Sequence, residues 1–386
     1  GQIDDDNNGI SGLEKSFDGK LKQIKEPLQL TVDTDIQFLI REELIKFHSV
    51  FKSKGSMAIL MNVNNGEIIS MVSYPDFDLN KRETVSDVNF INRATKGVYE
   101  LGSVFKTFTV AAGLEEGLIE TDTKFLNLKK ELKCGKNVIS EYDKNIPSDL
   151  TVEQILIRSG NIGSVRIGQK LEIDKLKLFL EKIGILDKID FDIEEVGEPI
   201  SFRWGKCKLA TVSFGHGITT TPLQLAKGYA IIANGGFAIK PSLIKKTLEH
   251  SQSHKRIIKE GVSKQINEIL RKIVTTKEGT AGLANIKGYE VGGKTGTAEK
   301  AIVGGYTGKA KVNTFVSIFP TSKPKYVMVV LLDEPKTSED YIYKYKNKTG
   351  SFKGTPFNTA GWTSVEISGK IIQKIGPILA TKYIEN

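Results

Sequence analysis

Apolar side chains return every three or four residues between Thr34 and Phe51, which predicts an amphipathic helix. The pattern then changes to two short apolar runs on either side of an Asn-Asn-Gly sequence at 64–66. Because an Asn-Gly pair between two such runs is typical of a tight β-turn, residues 57–74 are predicted to form an antiparallel hairpin.

Helical periods dominate the middle of the chain, residues 103–235, and strand-like runs return near 286–333. The β-rich runs 313–320 and 326–333 are joined by only five residues, a length that suits antiparallel strands. This order predicts an α+β fold with an antiparallel sheet, in which residues 29–386 form one domain and the polar residues 1–28 a separate segment. The individual helices are predicted near residues 103–116, 151–158, 162–171, 174–183, 222–233 and 362–380.

Composition narrows the class of protein without identifying it. The chain has 386 residues, of which 39% are hydrophobic and 26% charged, as in globular proteins. Its longest apolar runs are about ten residues, below the ~20 that a membrane-spanning helix needs. The net charge of +9 is spread along the chain, which we interpret as a basic surface suited to acidic polymers or a membrane face. No nucleic-acid reading motif is present, so we expect no nucleic-acid partner.

Neither the cysteines nor the acidic start of the chain predicts a metal site. Cys134 and Cys207 lie far apart without zinc-site spacing, and a single disulfide and two unpaired buried thiols both remain open. Residues 4–9 nearly match the start of a calcium loop, but Lys15 stands where a bidentate carboxylate is required. A turn is the better interpretation, and we expect neither a metal nor a cofactor.

One motif suggests nucleotide binding. Residues 288–295 fit G-x-x-x-x-G-K-T, and Asp333 follows an apolar run, as a magnesium-binding acid does in nucleotide-binding proteins. A phosphate loop must run directly into a helix, however, and no helical period follows Lys294 before Asn313. We therefore keep a nucleotide-binding protein only as a remote alternative.

A second set of motifs suggests acyl transfer by an activated serine. Its template is S-x-x-K, then S-x-N, then K-T-G, and the chain contains all three in that order. S-x-N occurs once, as Ser159-Gly160-Asn161, and K-T-G occurs at Lys294 and at Lys348. S-x-x-K is less specific and starts at Ser49, Ser103, Ser242 and Ser322.

Context selects one copy of each repeated motif. Ser103 alone follows a glycine and opens an apolar helix, with Lys106 one turn later on the same face. A plain helix N-cap would also explain this serine, so the rest of the triple carries the argument. Lys294 lies on a strand-like stretch beside the predicted strand pair, whereas Lys348 lies in a polar stretch typical of a surface loop.

The chemistry requires these residue types. A serine hydroxyl needs a base, and a lysine serves as that base only if burial or a cationic neighbour lowers its pKa. Lys294 is a candidate for that neighbour, and Ser159 for passing a proton to the leaving amine. Asn161 can hold a substrate amide, and the backbone N–H groups of Ser103 and Thr297 are candidates for binding the oxyanion.

Two further features of the K-T-G-T stretch suit a substrate site. The hydroxyls of Thr295 and Thr297 can bind a terminal carboxylate, and Gly296 allows a substrate or helix to approach the backbone closely.

A Ser-His-Asp hydrolase is the rival mechanism. The chain has no G-x-S-x-G, and of its histidines only His216, between two glycines, lies in a site-like setting; a structural role is favoured for it. The other histidines are His48, His250 and His254.

Six stretches resemble class B (monofunctional) penicillin-binding proteins, and they extend over nearly the whole chain. Two of them contain the S-x-x-K of Ser103 and the K-T-G of Lys294, and the set favours the cell-division (septal) branch. The stretches are 12–18, 74–78, 99–108, 214–226, 292–299 and 332–335.

The resemblance implies a peptidoglycan D,D-transpeptidase that cross-links stem peptides ending in D-Ala-D-Ala and is blocked by β-lactam antibiotics. It implies Ser103 as nucleophile and Lys106 as base, with Ser159 and Lys294 as the proton relay. It assigns substrate contacts to Asn161, Thr295, Gly296 and Thr297. The implied fold is a five-stranded antiparallel sheet flanked by helices, with an all-helical subdomain that carries the S-x-N loop.

The family also implies a cellular setting. Its members carry a membrane helix and a pedestal domain before the catalytic domain, so we expect residues 1–28 to be a remnant of that linker or pedestal region. We expect the enzyme on the periplasmic side of the inner membrane, with a septal glycosyltransferase and other division proteins as partners. A serine β-lactamase and a non-enzymatic penicillin sensor share the fold and motifs and remain alternatives.

Overall fold

The computed structural model describes residues 1–78, 91–135, 137–245, 255–302, 305–344 and 350–382. Its strands are β1 (Gln2–Ile3), β2 (Gly9–Ser11), β3 (Gly55–Asn62), β4 (Ile68–Tyr74), β5 (Lys124–Phe125), β6 (Glu131–Cys134), β7 (Asn137–Ser140), β8 (Leu150–Thr151), β9 (Gly292–Ile302), β10 (Gly305–Phe319), β11 (Tyr326–Asp333), β12 (Ile342–Lys344) and β13 (Ser351–Lys353). Its α-helices are α1 (Gly12–Ser16), α2 (Asp18–Leu21), α3 (Thr34–Val50), α4 (Lys106–Glu115), α5 (Val152–Ile157), α6 (Asn161–Lys182), α7 (Lys206–Val212), α8 (Pro222–Ala233), α9 (Glu260–Thr275) and α10 (Ser364–Lys382). Short 3-10 turns lie at Gly102–Phe105, Gly282–Ala284 and Ala360–Trp362.

A five-stranded antiparallel sheet in the order β4-β3-β11-β10-β9 confirms the predicted architecture. Every residue of β11 is buried, so both faces of the sheet are covered at this strand. Helices α3 and α10 pack against each other and the sheet, and α8 packs on the sheet beside α9. The register runs across all five strands, from Met71 through Ile59, Val329 and Val316 to Lys294.

The predicted helices are largely confirmed, including α3, α4, α5, α8 and α10. The two helices predicted near 162–171 and 174–183 are both present within α6, where they are separated at Glu172, whose φ of 62° is not helical. No element was predicted for α9, although Val262, Ile266 and Ile273 lie on its buried face at helical spacing.

The expectation of an all-helical subdomain was wrong for residues 124–151. Two small sheets lie there, β5 paired with β8 and β6 paired with β7. Their strands have two to four residues, too few for a period-2 pattern to stand out from the surrounding sequence.

Cys134 and Cys207 form a disulfide, which is one of the two possibilities that the sequence left open. It joins strand β6 to helix α7 across 73 residues of chain. The other possibility, two unpaired buried thiols, is wrong, and Cys207 is in fact exposed. The bridge therefore ties the β6–β7 hairpin to the rest of the helical region.

The first residues of the chain pack onto the segment that precedes α7. The backbone N–H of Gly12 donates to Glu195 Oε1 at 2.7 Å, and the N–H of Glu194 donates to Ser16 Oγ at 3.0 Å. The Asp4 carboxylate accepts the N–H groups of Asp6 and Asn8, so residues 4–8 form the predicted turn. Among the described residues, no helix combines the length and apolar character that crossing a bilayer requires.

Replacing both Cys134 and Cys207 by serine is expected to lower the free energy of unfolding by about 2–4 kcal/mol, because the cross-link restricts the unfolded chain. Thermal or urea denaturation measures the change. Wild-type protein in dithiothreitol is the matched control and should reach a similarly lowered midpoint. An unchanged midpoint in the double variant would contradict the stabilising role of the bridge.

Candidate active site

The predicted nucleophile and its lysine lie at the start of a buried helix. Ser103 is in the 3-10 turn that leads into α4, and it is partly exposed, whereas Lys106 has no solvent exposure. Gly102 adopts a φ of +62°, which glycine tolerates and residues with a Cβ rarely adopt. The turn therefore leaves Ser103 partly accessible and buries Lys106, which follows it by three residues.

The S-x-N motif forms the turn between α5 and α6, as the sequence predicted. Thr151 and Gln154 make a capping box at the start of α5, which fixes the entry of this segment. Ser159 has a φ of 60°, a conformation that costs on the order of 1–3 kcal/mol for a residue with a side chain. Asn161 is the first residue of α6, and its Nδ2 donates to Ser140 O at 2.7 Å.

The Lys106 amine connects the first two motifs. Its Nζ donates to Ser159 O at 2.5 Å and to Asn161 Oδ1 at 2.6 Å, and lies 3.2 Å from Ser159 Oγ. A neutral amine has two N–H groups, and two pure acceptors satisfy both of them. Its lone pair is then available to take a proton from a nearby hydroxyl.

Strand β9 brings in the third motif. Lys294 has no solvent exposure, and its Nζ donates to Ser159 Oγ at 2.8 Å. The Ser159 hydroxyl therefore lies between two lysine amines, one from α4 and one from the sheet. One residue from each predicted motif, Lys106, Ser159 and Lys294, therefore meets at this hydroxyl.

Burial controls the charge of these groups. It lowers the pKa of Lys106 to about 7, while the nearby Glu141 carboxylate acts in the opposite direction. Burial, and then the charge of Lys106, hold the pKa of Lys294 well below its usual range. Burial and the charge of Lys106 also lower the pKa of His216 to about 4, so this imidazole is neutral at physiological pH.

The remaining K-T-G-T residues line β9, an edge strand of the central sheet. A Cβ on Gly296 would lie 2.2 Å from Leu101 O, so only glycine lets the strand approach the turn that carries the predicted nucleophile (Gly102–Phe105, the nucleophile turn below) this closely. The hydroxyls of Thr295 and Thr280 are 2.7 Å apart, and Thr297 Oγ1 accepts the N–H of Ala360 at 3.0 Å.

Sequence reasoning missed three contributors to this site. Glu141 accepts the backbone N–H groups that begin α6, Thr280 contacts Thr295, and Ala360 contacts Thr297. These contacts join residues 15 to 63 positions apart, and no local motif marks them.

The other S-x-x-K serines lie in separate elements. Ser49 Oγ donates to Ile45 O within α3, Ser322 lies in the turn between β10 and β11 beside Glu290, and Ser242 Oγ donates to Asp192. These placements agree with the choice of Ser103. Lys348, the alternative K-T-G lysine, lies outside the described residues, as do His250 and His254.

The structure excludes the phosphate-loop interpretation of residues 288–295. This segment continues into strand β9, so it has no following helix whose N–H groups could hold a phosphate. Asp333 binds Lys300 Nζ at 2.8 Å. His48, on α3, is hydrogen-bonded to Ser56 Oγ at 2.9 Å and belongs to the packing of α3 on β3.

Known proteins resemble the chain over most of its length. It is 31% identical to a probable peptidoglycan D,D-transpeptidase FtsI from Caulobacter vibrioides, over 99% of this chain and 64% of that protein. It is 31% identical to stage V sporulation protein D from Bacillus subtilis, over 86% of this chain and 57% of that protein. The chain therefore spans less than two thirds of the length of these two relatives.

A solved structure shares the fold. The apo transpeptidase domain of penicillin-binding protein 3 from Burkholderia pseudomallei matches with a TM-score of 0.78 and 24% identity, over 92% of this chain and 98% of that one. The model of the penicillin-binding protein transpeptidase domain matches residues 56–352, which include all three motifs. The chain belongs to the penicillin-binding protein transpeptidase family.

Proposed function

We propose that this chain is the catalytic domain of a peptidoglycan D,D-transpeptidase and that Ser103 is its acylated nucleophile. The observation that carries the proposal is the convergence of three separate motifs on one network. Lys106, Ser159 and Lys294 come from a helix, a turn and a strand. The Nζ atoms of the two lysines lie 3.2 Å and 2.8 Å from Ser159 Oγ. Such an arrangement suits proton transfer to and from a serine.

In the acylation step, Ser103 Oγ attacks the carbonyl carbon of the penultimate D-alanine in a stem peptide. Its proton passes to the neutral amine of Lys106, and the bond to the terminal D-alanine breaks. The protonated Lys106 then passes this proton through Ser159 Oγ, which contacts both lysines, to the leaving amine, so Lys106 is neutral again. The products are free D-alanine and an ester on Ser103.

In the second step, the amine of a neighbouring stem peptide attacks the ester carbonyl. That amine loses a proton to the neutral Lys106, the ester bond breaks, and Lys106 passes this proton to Ser103 Oγ. The result is a new amide cross-link and the free enzyme. The partly exposed serine beside a fully buried lysine suits this cycle, because the substrate reaches the serine while water is kept from the base.

The donor peptide is proposed to lie along β9. The backbone N–H groups of Ser103 and Thr297 are the proposed oxyanion donors, since β9 lies directly against the nucleophile turn. Thr295 and Thr297 are the proposed ligands of the terminal carboxylate, and the Asn161 side chain the proposed ligand of a substrate amide. Partly buried hydrogen bonds to Thr280 and Ala360 hold the two threonine hydroxyls in place.

The proposed cellular role is inferred from the names of the relatives. A relative from Caulobacter vibrioides carries a cell-division transpeptidase name, which supports a role in septal cross-linking outside the cytoplasm. We propose periplasmic action at the inner membrane, with a septal glycosyltransferase and other division proteins as partners. β-Lactams resemble the D-Ala-D-Ala end and are expected to acylate the same serine.

Incubation with a penicillin is expected to give a stable adduct of one drug per chain, which intact-mass spectrometry detects. The Ser103→Ala variant should give no adduct, because it lacks the nucleophile. Ser49→Ala is the matched control, since Ser49 begins the same Ser-Val-Phe-Lys tetrapeptide, and it should acylate as the wild type does. An adduct on folded Ser103→Ala would overturn the assignment. An adduct that clears within seconds while drug is consumed would indicate a β-lactamase.

The acylation rate is expected to depend on pH through Lys106. The base must be neutral to accept a proton, and burial lowers its pKa to about 7. The rate should therefore fall about tenfold per pH unit as the pH drops below that value, and level off above it. Stopped-flow acylation between pH 5 and 9 measures the profile, with circular dichroism to confirm folding at each pH. A flat profile would rule out Lys106 as the titrating base.

Gly296→Ala is expected to slow acylation by roughly 100-fold, because the new Cβ would push β9 away from the nucleophile turn. The matched control is Gly261→Ala in α9, where a Cβ meets open space and the rate should not change. The same acylation assay compares them, with thermal unfolding as a test of folding. Wild-type rates in folded Gly296→Ala would show that the close approach is not required.

A further inference from the structure

Glu141 is a buried carboxylate beside the site that the mechanism above does not use. It follows directly after β7 and is 5% exposed. Its Oε2 accepts the backbone N–H of Asn161 at 2.7 Å, and its Oε1 accepts the N–H of Ile162 at 2.8 Å. Both oxygens are therefore committed to the first two N–H groups of helix α6.

This arrangement replaces an ordinary helix cap. The N-cap residue of α6 is Gly160, which has no side chain to accept the first N–H groups. A charge-assisted bond from a carboxylate at a helix N-terminus is stronger than one from a neutral cap, and it also complements the helix dipole. Glu141 thus fixes the start of α6 from 20 residues upstream.

The same segment also orients the Asn161 side chain. Ser140 O accepts Asn161 Nδ2 at 2.7 Å, which leaves Oδ1 facing the Lys106 amine at 2.6 Å. Residues 140 and 141 therefore hold both the backbone and the side chain of Asn161. The position of an acceptor for Lys106 depends on this short segment.

Glu141 is also a carboxylate whose charge acts on Lys106. The charge of Lys106 acts in turn on Lys294 on β9 and on His216 in the loop after α7. Burial of Lys106 favours its neutral form, and the charge of Glu141 opposes that effect. The balance between them decides the pH at which the amine is ready to accept a proton.

We propose that Glu141 is a positioning residue of the acyl-transfer site, which aligns Asn161 as an acceptor for the Lys106 amine and places a negative charge near that amine. This inference rests on the proposed function of Lys106 as base. Glu141 acts through Asn161 and Lys106, since both of its oxygens are occupied by backbone N–H groups. It is accordingly not assigned the role of activating a deacylating water.

The test compares Glu141→Gln and Glu141→Asp by the pH profile of acylation with a penicillin. Glu141→Gln keeps the shape of the side chain but removes its charge. The acid limb of the profile, the range in which the rate falls with decreasing pH, should therefore shift to lower pH by about one unit. Its plateau rate should fall about tenfold, because an amide accepts one backbone N–H and turns its own NH₂ toward the other. Glu141→Asp keeps the charge, but its shorter side chain no longer reaches both backbone N–H groups of α6. Its acid limb should therefore stay in place while its plateau rate falls.

Glu43→Gln is the matched control. Glu43 is 3% exposed and pairs with Lys374 between α3 and α10, so this variant also removes a buried carboxylate. Its acid limb and plateau should equal those of the wild type. Thermal unfolding shows whether each variant is folded.

An unmoved acid limb in folded Glu141→Gln would overturn the proposal. If that variant does not fold, Glu141→Asp decides, and a wild-type plateau rate in it would overturn the proposal. A wild type without a serine adduct would instead refute the proposed function, and a wild type that is acylated with a flat pH profile would refute the role of Lys106 as base. The two failures are therefore distinguishable.

Discussion

The structure depends on two lysine amines that have no contact with solvent and meet around one serine hydroxyl. Lys106 and Lys294 are completely buried, and removing a charged amine from water is costly unless it is paired or neutral. The surrounding groups are mostly acceptors of N–H bonds, with one nearby carboxylate. This environment favours at least one neutral amine, which is the form that a general base requires.

The rest of the fold brings the three parts of this network together. Strand β9 carries Lys294 at the end of a register that crosses the whole sheet, so its position is set by the most buried strands of the protein. Helix α4 is buried along most of its length, which fixes the nucleophile turn against β9. Gly296 permits that contact, because any larger residue would collide with the backbone of Leu101.

The turn between α5 and α6 is held less by its own sequence than by the hairpin β6–β7. Ser140 and Glu141, at the end of that hairpin, take up the side-chain and backbone N–H groups of Asn161. The disulfide between Cys134 and Cys207 anchors the same hairpin to α7. A small peripheral sheet thus supports the geometry of the central site. Disrupting this sheet would displace Asn161 and so change the hydrogen bonding of the Lys106 amine.

Local sequence patterns were sufficient to predict the elements with strong signals, which are α3, the β3–β4 hairpin, α8 and the strand pair β10–β11. It also selected Ser103 over Ser49, although both begin the same tetrapeptide, because only Ser103 opens a buried helix after a glycine. Tertiary structure alone decided the small sheets at 124–151, the disulfide, and the contacts of Glu141, Thr280 and Ala360. The physical reason is that periodicity and turn chemistry act between near neighbours, whereas burial of an amine and its hydrogen-bond partners is a property of segments that meet only after folding.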